Sequence, residues 1–428
     1  MSGAGSIDQR ILPGGCPLWL IERPGAGILS AKLWMRGGSS ADQHGQRGAA
    51  QLLAGVLSRG CGPLSGDALA DLVEGSGAGL RCEAAEDGTL LSLKCASSDA
   101  PSLLPLLLQM VQQPWLVPDQ IDLERQLNLQ TLQRQKEDPF QLAHDQLRQL
   151  LYRDGPYGHD PLGVEPDLRA IKRDQLQKLA SSYGQSGAVL VLAGEIPANV
   201  DELLLAGVTD AHWTCQPPRR SSGPQDQNQH AMAVSNDDTE QLVLMLGCAT
   251  LPMGHADSLS LRLLQAHLGL GMSCRLFTVM REERGLAYDV GVHLPARSGA
   301  APFVMHLSTS ADRAAEATSC LLAEWRRLRD QPLSDRELEL ALAKFRGQDA
   351  MGRQTCSQIA ERQALVLSQG LPADHVDQAL ARAAQLRPAD LQLAAQRWLR
   401  QPQLSLVGPA DAIAAAESAW QADPLSSR

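Results

Sequence analysis

Arg281 and Tyr288 stand at the two ends of the segment Arg281-Glu282-Glu283-Arg284-Gly285-Leu286-Ala287-Tyr288. A guanidinium and a phenol O–H can both donate hydrogen bonds to a peptide backbone or to an oxyanion. A second stretch, Gly48-Ala49-Ala50-Gln51-Leu52-Leu53-Ala54-Gly55, is informative for what it lacks. Gln51 is a poor neutral metal ligand, and Ala54 and Gly55 carry no donor at all. The ten histidines are isolated, with none three or four residues from another, so they offer no pair of metal ligands on one helical face. No metal is expected in this chain. An arbitrary Arg and Tyr would read as a surface helix residue and a strand residue packing its ring, so the surrounding sequence has to decide.

The elements that position these residues must come from a chain of 428 residues, too long for one ordinary core. Hydrophobic residues make up 44% but aromatics only 4%, so the interior relies on Leu, Val and Ala. A formal charge of -10 argues against nucleic acid or an anionic membrane as partner and favours a basic or neutral polypeptide. Nine cysteines occur singly, without a CxxC pair, which suits reduced thiols in a cytoplasmic setting. Met1 to Arg10 has no apolar core of a secretory signal, and the run Leu103 to Leu108 falls far short of the ~20 residues of a membrane span. The expectation is a soluble cytoplasmic protein.

Residues 215–230 form a polar, Pro- and Ser-rich segment without apolar period, which reads as a linker between 1–214 and 231–428. Each half opens with a strand-like run, Ile28 to Met35 or Gln241 to Leu246, followed by a helical apolar pattern. Each then has a Pro-punctuated helix start, with Asp119 and Ser334 as the expected caps. Each ends with a helix, from near Asp167 or Pro388, leading to a β-rich run, Ala188 to Gly194 or Leu404 to Gly408. The repeated order predicts an α+β protein of two similar domains.

In this layout the chain resembles the pitrilysin/insulinase family of zinc metallopeptidases, the inverzincins. Within it, the similarity is to the short-chain subgroup of the mitochondrial processing peptidase and its bacterial relatives. The resemblance runs from about Leu12 to about Gly408. The first half carries it on Trp34-Met35-Arg36-Gly37-Gly38-Ser39, Gly48 to Gly60, Asp87-Gly88-Thr89, Glu137-Asp138-Pro139 and Tyr157-Gly158-His159-Asp160-Pro161-Leu162-Gly163. The second half carries it on Ser273-Cys274-Arg275-Leu276-Phe277 running on to Tyr288, the most specific block.

The resemblance implies two homologous domains, each a mostly antiparallel sheet with helices packed on one face, forming half of a clam-shell chamber. Active members bear His-x-x-Glu-His on the first helix, two ligands on one helical face with a general base between them. Here Gln51 stands at the first His, Ala54 at the Glu and Gly55 at the second His. If Glu124-Arg125 is the family's Glu-Arg pair, the third ligand falls near Gln130 or Thr131. Arg281 and Tyr288 match the family's Arg and Tyr, which reach the zinc site of the opposite half or of a second chain, and are the catalytic candidates. Arg81, Cys82, Glu83 and Ala84 match the substrate-pairing edge strand, although Glu83, Glu86 and Asp87 read equally well as a solvated acidic turn. His159 is expected to orient a loop.

The implied function is that of a non-catalytic subunit of a heterodimeric zinc metalloendopeptidase acting on peptides or unfolded polypeptides. Zinc is then expected in a homologous partner with an intact motif, and this chain alone is expected to be inactive. The alternative is a structural or peptide-binding pseudoenzyme without a role in proteolysis.

Overall fold

A computed structural model describes residues 7–206 and 232–427, so the expected linker at 215–230 lies outside the described residues. The chain opens with β1 (Ile7–Ile11), β2 (Pro17–Glu22), β3 (Ile28–Arg36), α1 (Ala49–Leu57), β4 (Gly60–Cys61), β5 (Leu64–Ser65) and α2 (Gly66–Gly75). It continues through β6 (Gly79–Ala84), β7 (Gly88–Ala96), α3 (Ala100–Gln112), α4 (Pro118–Lys136), α5 (Pro139–Tyr152), α6 (Glu165–Ala170), α7 (Arg173–Ser182), β8 (Ala188–Gly194) and α8 (Val200–Leu205). The second half runs β9 (Met232–Asn236), β10 (Gln241–Ala249), α9 (Ser258–Gly269), β11 (Asp289–His293), β12 (Pro302–Ser310), α10 (Ala314–Asp330) and α11 (Asp335–Met351). It closes with α12 (Cys356–Ser368), α13 (His375–Ala383), α14 (Pro388–Trp398), β13 (Gln403–Gly408) and α15 (Ala410–Gln421).

The described residues fall into two compact units, drawn from Met1–Leu132, His159–Arg219 and Ala350–Ala373, and from Gln133–Gly158, Arg220–Asp349 and Asp374–Arg428. Each unit is α+β, and the two sheets follow one plan. In the first, β6-β7-β3-β8-β2 are neighbours in that order, antiparallel except for the parallel pair β8 and β2, with β1 added beyond β2. In the second, β11-β12-β10-β13-β9 repeat the order and the directions, with β13 and β9 as the parallel pair.

Strand sequence explains the layering. β8 (AVLVLAG) is apolar and buried at every position, and β13 (QLSLVG) is buried throughout even though Gln403 and Ser405 alternate with Leu404 and Leu406, so both strands are covered on both faces. In the first unit the main helical layer packs Leu52, Leu53, Leu103 and Leu107 against Leu29, Leu33 and Leu91. The other face is covered by α12, which sets Ala360 and Ala364 on Trp34, Val189 and Val191 and ties Glu361 to buried Lys32 at 2.7 Å. In the second unit, Leu264, Leu321 and Trp325 pack on Leu244, Leu246 and Phe303, while α5 covers the opposite face with Ala143, Leu147 and Leu151 on Met245, Val304 and Val407. Each sheet thus takes one covering helix from the other half of the sequence.

Helix starts differ in part from expectation. Ser334 caps α11 as expected, accepting from the Glu337 N–H at 3.3 Å while Glu337 accepts from the Ser334 N–H at 2.8 Å. Asp119 does not cap α4: Pro118 takes the first helical position, where a missing N–H costs nothing, so Asp119 sits in the first turn as a favourable negative charge. The helix near Asp167 is two short ones, α6 and α7, and the Asp167 carboxylate accepts from Arg47 Nε at 2.8 Å. That bond holds Asp167 below the usual carboxylate range. Among the described residues no helix is long and apolar enough to cross a membrane.

Candidate functional site

Helix α1 is launched by Asp42, whose carboxylate accepts from the N–H groups of Gly48 at 2.7 Å and Ala50 at 3.1 Å. Gly48 takes φ +105, and a Cβ there would meet the Leu162 carbonyl at 2.8 Å, so only glycine fits. Leu52, Leu53, Val56 and Leu57 bury one side of the helix, leaving Gln51 and Gly55, one turn apart, to share another face. Gln51 Oε1 accepts from the backbone N–H of Ala84 in β6 at 3.0 Å. Ala54 is fully buried and packs with Ala50 and Ala84. At Gly55 a Cβ would sit 2.6 Å from Glu124 Oε2. The Glu124 carboxylate, in turn, accepts from Arg59 Nε at 2.8 Å and from Arg59 Nη2.

These residues do not fit a metal. The Gln51 oxygen is engaged, Ala54 offers nothing, and the space beside Gly55 holds an Arg59–Glu124 ion pair. Thr131, near the expected third ligand, donates its hydroxyl to the Leu127 carbonyl at 2.9 Å, and Gln130 is exposed. Among the described residues no cluster of three or more His, Cys, Asp or Glu could hold a metal ion. His159 lies with Nε2 3.8 Å from the Asp42 carboxylate, beside the start of α1.

β6 is the edge strand of its sheet, paired on one side with β7 in the register Arg81↔Ser92, Glu83↔Leu90 and Ala84↔Thr89. Because Ala84 turns its N–H away from β7 to Gln51, antiparallel alternation points the backbone groups of Leu80 and Cys82 to the same open side. Arg81 and Glu83 face β7 through their backbone and leave their side chains exposed. Burial pushes the Cys82 thiol up to about 12, so it stays protonated and is no nucleophile near neutral pH. Asp87, in the following turn, lies near Gln369 Nε2 at 3.5 Å.

Arg281 and Tyr288 flank a widened turn. Residues Phe277–Glu283 form a π-helical segment whose exit is drawn inward as both Leu286 and Ala287 donate to the Met280 carbonyl, at 2.7 and 3.2 Å. Gly285, at φ +60, supplies the left-handed residue that ends the turn. Met280, Leu286 and Ala287 anchor the loop in the core, and at its start Arg275 Nη2 donates to Glu324 at 2.8 Å. Tyr288 donates its N–H to the Ser308 carbonyl at 3.1 Å, just ahead of edge strand β11. The Arg281 guanidinium lies 4.9 Å from the Phe277 ring and 5.5 Å from the Tyr288 ring. Arg281 is exposed, Tyr288 is 75% exposed, and neither side chain has a hydrogen-bond partner among the described residues.

Residues 19–163 match the insulinase family, peptidase family M16, and residues 170–345 match the peptidase M16 inactive domain. The chain belongs to peptidase family M16. This M16 chain is 23% identical over 418 residues to an uncharacterized zinc protease of Streptomyces coelicolor, covering 95% of this chain and 90% of that protein. It is 20% identical over 342 residues to another from Bacillus subtilis, covering 80% of this chain and 83% of that one. Its fold is similar to that of a peptidase M16 inactive domain from Pseudomonas fluorescens, with TM-score 0.86, 20% identity and coverage of 95% and 98%. A protease from Helicobacter pylori superposes with TM-score 0.86, 18% identity and coverage of 95% and 100%. Within the M16 fold, sequence reasoning missed three features: the Gln51 bond to β6, the Glu124 carboxylate beside Gly55, and Phe277 under Arg281. Only Phe277, four residues before Arg281 in a helical stretch, carried a local signal.

Proposed function

We propose that this chain is the non-catalytic subunit of a heterodimeric M16 peptidase. A homologous subunit with an intact His-x-x-Glu-His motif would supply zinc, its ligands and the general base, and this chain would supply Arg281 and Tyr288. The observation that carries the reading is the pair itself: two hydrogen-bond donors, the Arg281 guanidinium lying by the Phe277 and Tyr288 rings, both exposed and unspent. A guanidinium held close to two rings loses little freedom when it takes a substrate carbonyl, and a neighbouring phenol can add a second bond as negative charge develops on that oxygen. A scaffold would have no use for such a pair.

The substrate in this reading is a peptide or unfolded polypeptide, lying as an added strand along Arg81, Cys82, Glu83 and Ala84, whose open side supports backbone pairing whatever the sequence. In this reading the homologous halves of the sequence are residues 1–214 and 231–428. Eight free thiols among the described cysteines support a cytoplasmic setting. The same open edge also favours a second reading, a peptide-binding pseudoenzyme without proteolysis.

Arg281→Ala and Tyr288→Phe, each made in this chain and assayed in the mixed complex, separate the two. The peptidase reading expects kcat to fall about a hundred- to a thousandfold, the effect of losing one transition-state donor, with zinc content of the complex unchanged. Wild-type turnover in both variants would remove the pair from the reaction.

A further inference from the structure

The first unit has a cleft of about 630 Å³ between α2, the start of β6 and the segment entering α4. Its floor is apolar, with Leu69 and Val73 buried in the core behind it. One wall is Trp115, whose Nε1 already donates to the Gly62 carbonyl at 2.8 Å while 40% of the residue stays exposed, so what it offers is ring surface. The rim carries Asp67 and Glu74, two turns apart on α2, both exposed and in no ion pair among the described residues. The one cation in the lining, Arg59, is already neutralised by Glu124. The uncompensated charge of the cleft is therefore negative.

Position relative to β6 gives the cleft its use. At one end of the strand Gln51 takes the Ala84 N–H, leaving Leu80 and Cys82 as the outward residues whose backbone is open. At the other end, Gly79 and Leu80 line the cleft mouth. A chain paired with Cys82 and Leu80 is stopped on the Gln51 side and runs on toward the cleft. We propose that this cleft is a side-chain subsite for a lysine or arginine of an extended peptide paired with Leu80 and Cys82. The long alkyl stem would lie on Leu69 and Val73, and the cationic head would reach the Trp115 ring and the carboxylates of Asp67 and Glu74. The proposal rests on the peptide-pairing reading of β6.

The test uses the full chain and short unstructured fluorescent peptides of one neutral sequence that differ at a central residue, lysine, norleucine or glutamate, with affinity read by anisotropy. Norleucine keeps the stem and removes the charge. The expected result is lysine bound about fivefold or more tighter than norleucine, and glutamate weakest. In the Asp67→Asn, Glu74→Gln double variant, which keeps shape and removes charge, the lysine-over-norleucine ratio should fall toward one. Equal binding of all three peptides, or a ratio unaffected by the double variant, overturns the subsite alone. Binding of none of them overturns peptide pairing at β6 and the subsite with it.

Discussion

Gly55→Ala separates a merely degenerate metal position from one that has been refilled. In an open helix interior, replacing glycine by alanine stabilises by about 0.5–1 kcal/mol, because glycine gives up more backbone freedom on folding. At position 55 the new Cβ would lie 2.6 Å from Glu124 Oε2 and 3.1 Å from its Cδ. The carboxylate can yield only by turning from Arg59, whose Nε is 2.8 Å away. With the side chains of Arg59 and Glu124 36% and 11% exposed, solvent screens the pair in part, and disturbing it costs about 1–3 kcal/mol. The net expectation is a loss of about 1 kcal/mol, or roughly 2–4 °C in the Tm of a unit of this size. Differential scanning calorimetry on the full chain reads it, following the transition that moves. In a Glu124→Ala background the same change should stabilise. A rise in Tm on Gly55→Ala with Glu124 intact would refute the refilled-site argument.

Two further outcomes follow from the same geometry. Cys82→Pro removes one outward N–H from an edge strand, where proline is tolerated, so peptide affinity should fall about two- to tenfold by titration with little change in the folded state's circular dichroism. His267 is buried, and desolvation, reinforced by Arg275, Lys344 and Arg327 against the opposing pull of Glu337, pushes its pKa down to about 4. The unfolded chain then binds the proton more readily, so stability present above about pH 6.5 drains away as pH falls to about 4, by about 3 kcal/mol in total. Urea denaturation from pH 7 to pH 4 should show that slope in the wild type and lose it in His267→Gln, and equal slopes would contradict it.

The duplicated architecture is legible in the sequence because its strongest signals are local. The run Ala188 to Gly194 has no polar alternation, Leu404 to Gly408 is β-rich, and Ser334 with Glu337 is a complete capping pattern. The placement of α5 and α12 is not legible, since the apolar stripe Ala143, Leu147, Leu151 says that a face is buried but not which sheet buries it. At the site, the absence of metal-binding side chains at 51, 54 and 55 is plain from residue types. What occupies their place is not, because Gln51 meets Ala84 and Gly55 meets Glu124 across long stretches of chain. Arg281 lies in a π-helical segment and Tyr288 follows its exit, and no ordinary helical spacing anticipates the widened exit that brings guanidinium and ring together.

The measurement that bears most directly on the complementing-subunit reading is peptidase activity on an unstructured fluorogenic peptide, with zinc determined in parallel. It is made for this chain, for a homologous subunit with an intact His-x-x-Glu-His motif, and for their mixture. The account predicts turnover in the mixture and none from this chain alone, with the zinc travelling in the homologous subunit. Turnover by this chain alone with bound zinc, or a mixture that forms a stable complex and cleaves nothing, would contradict it.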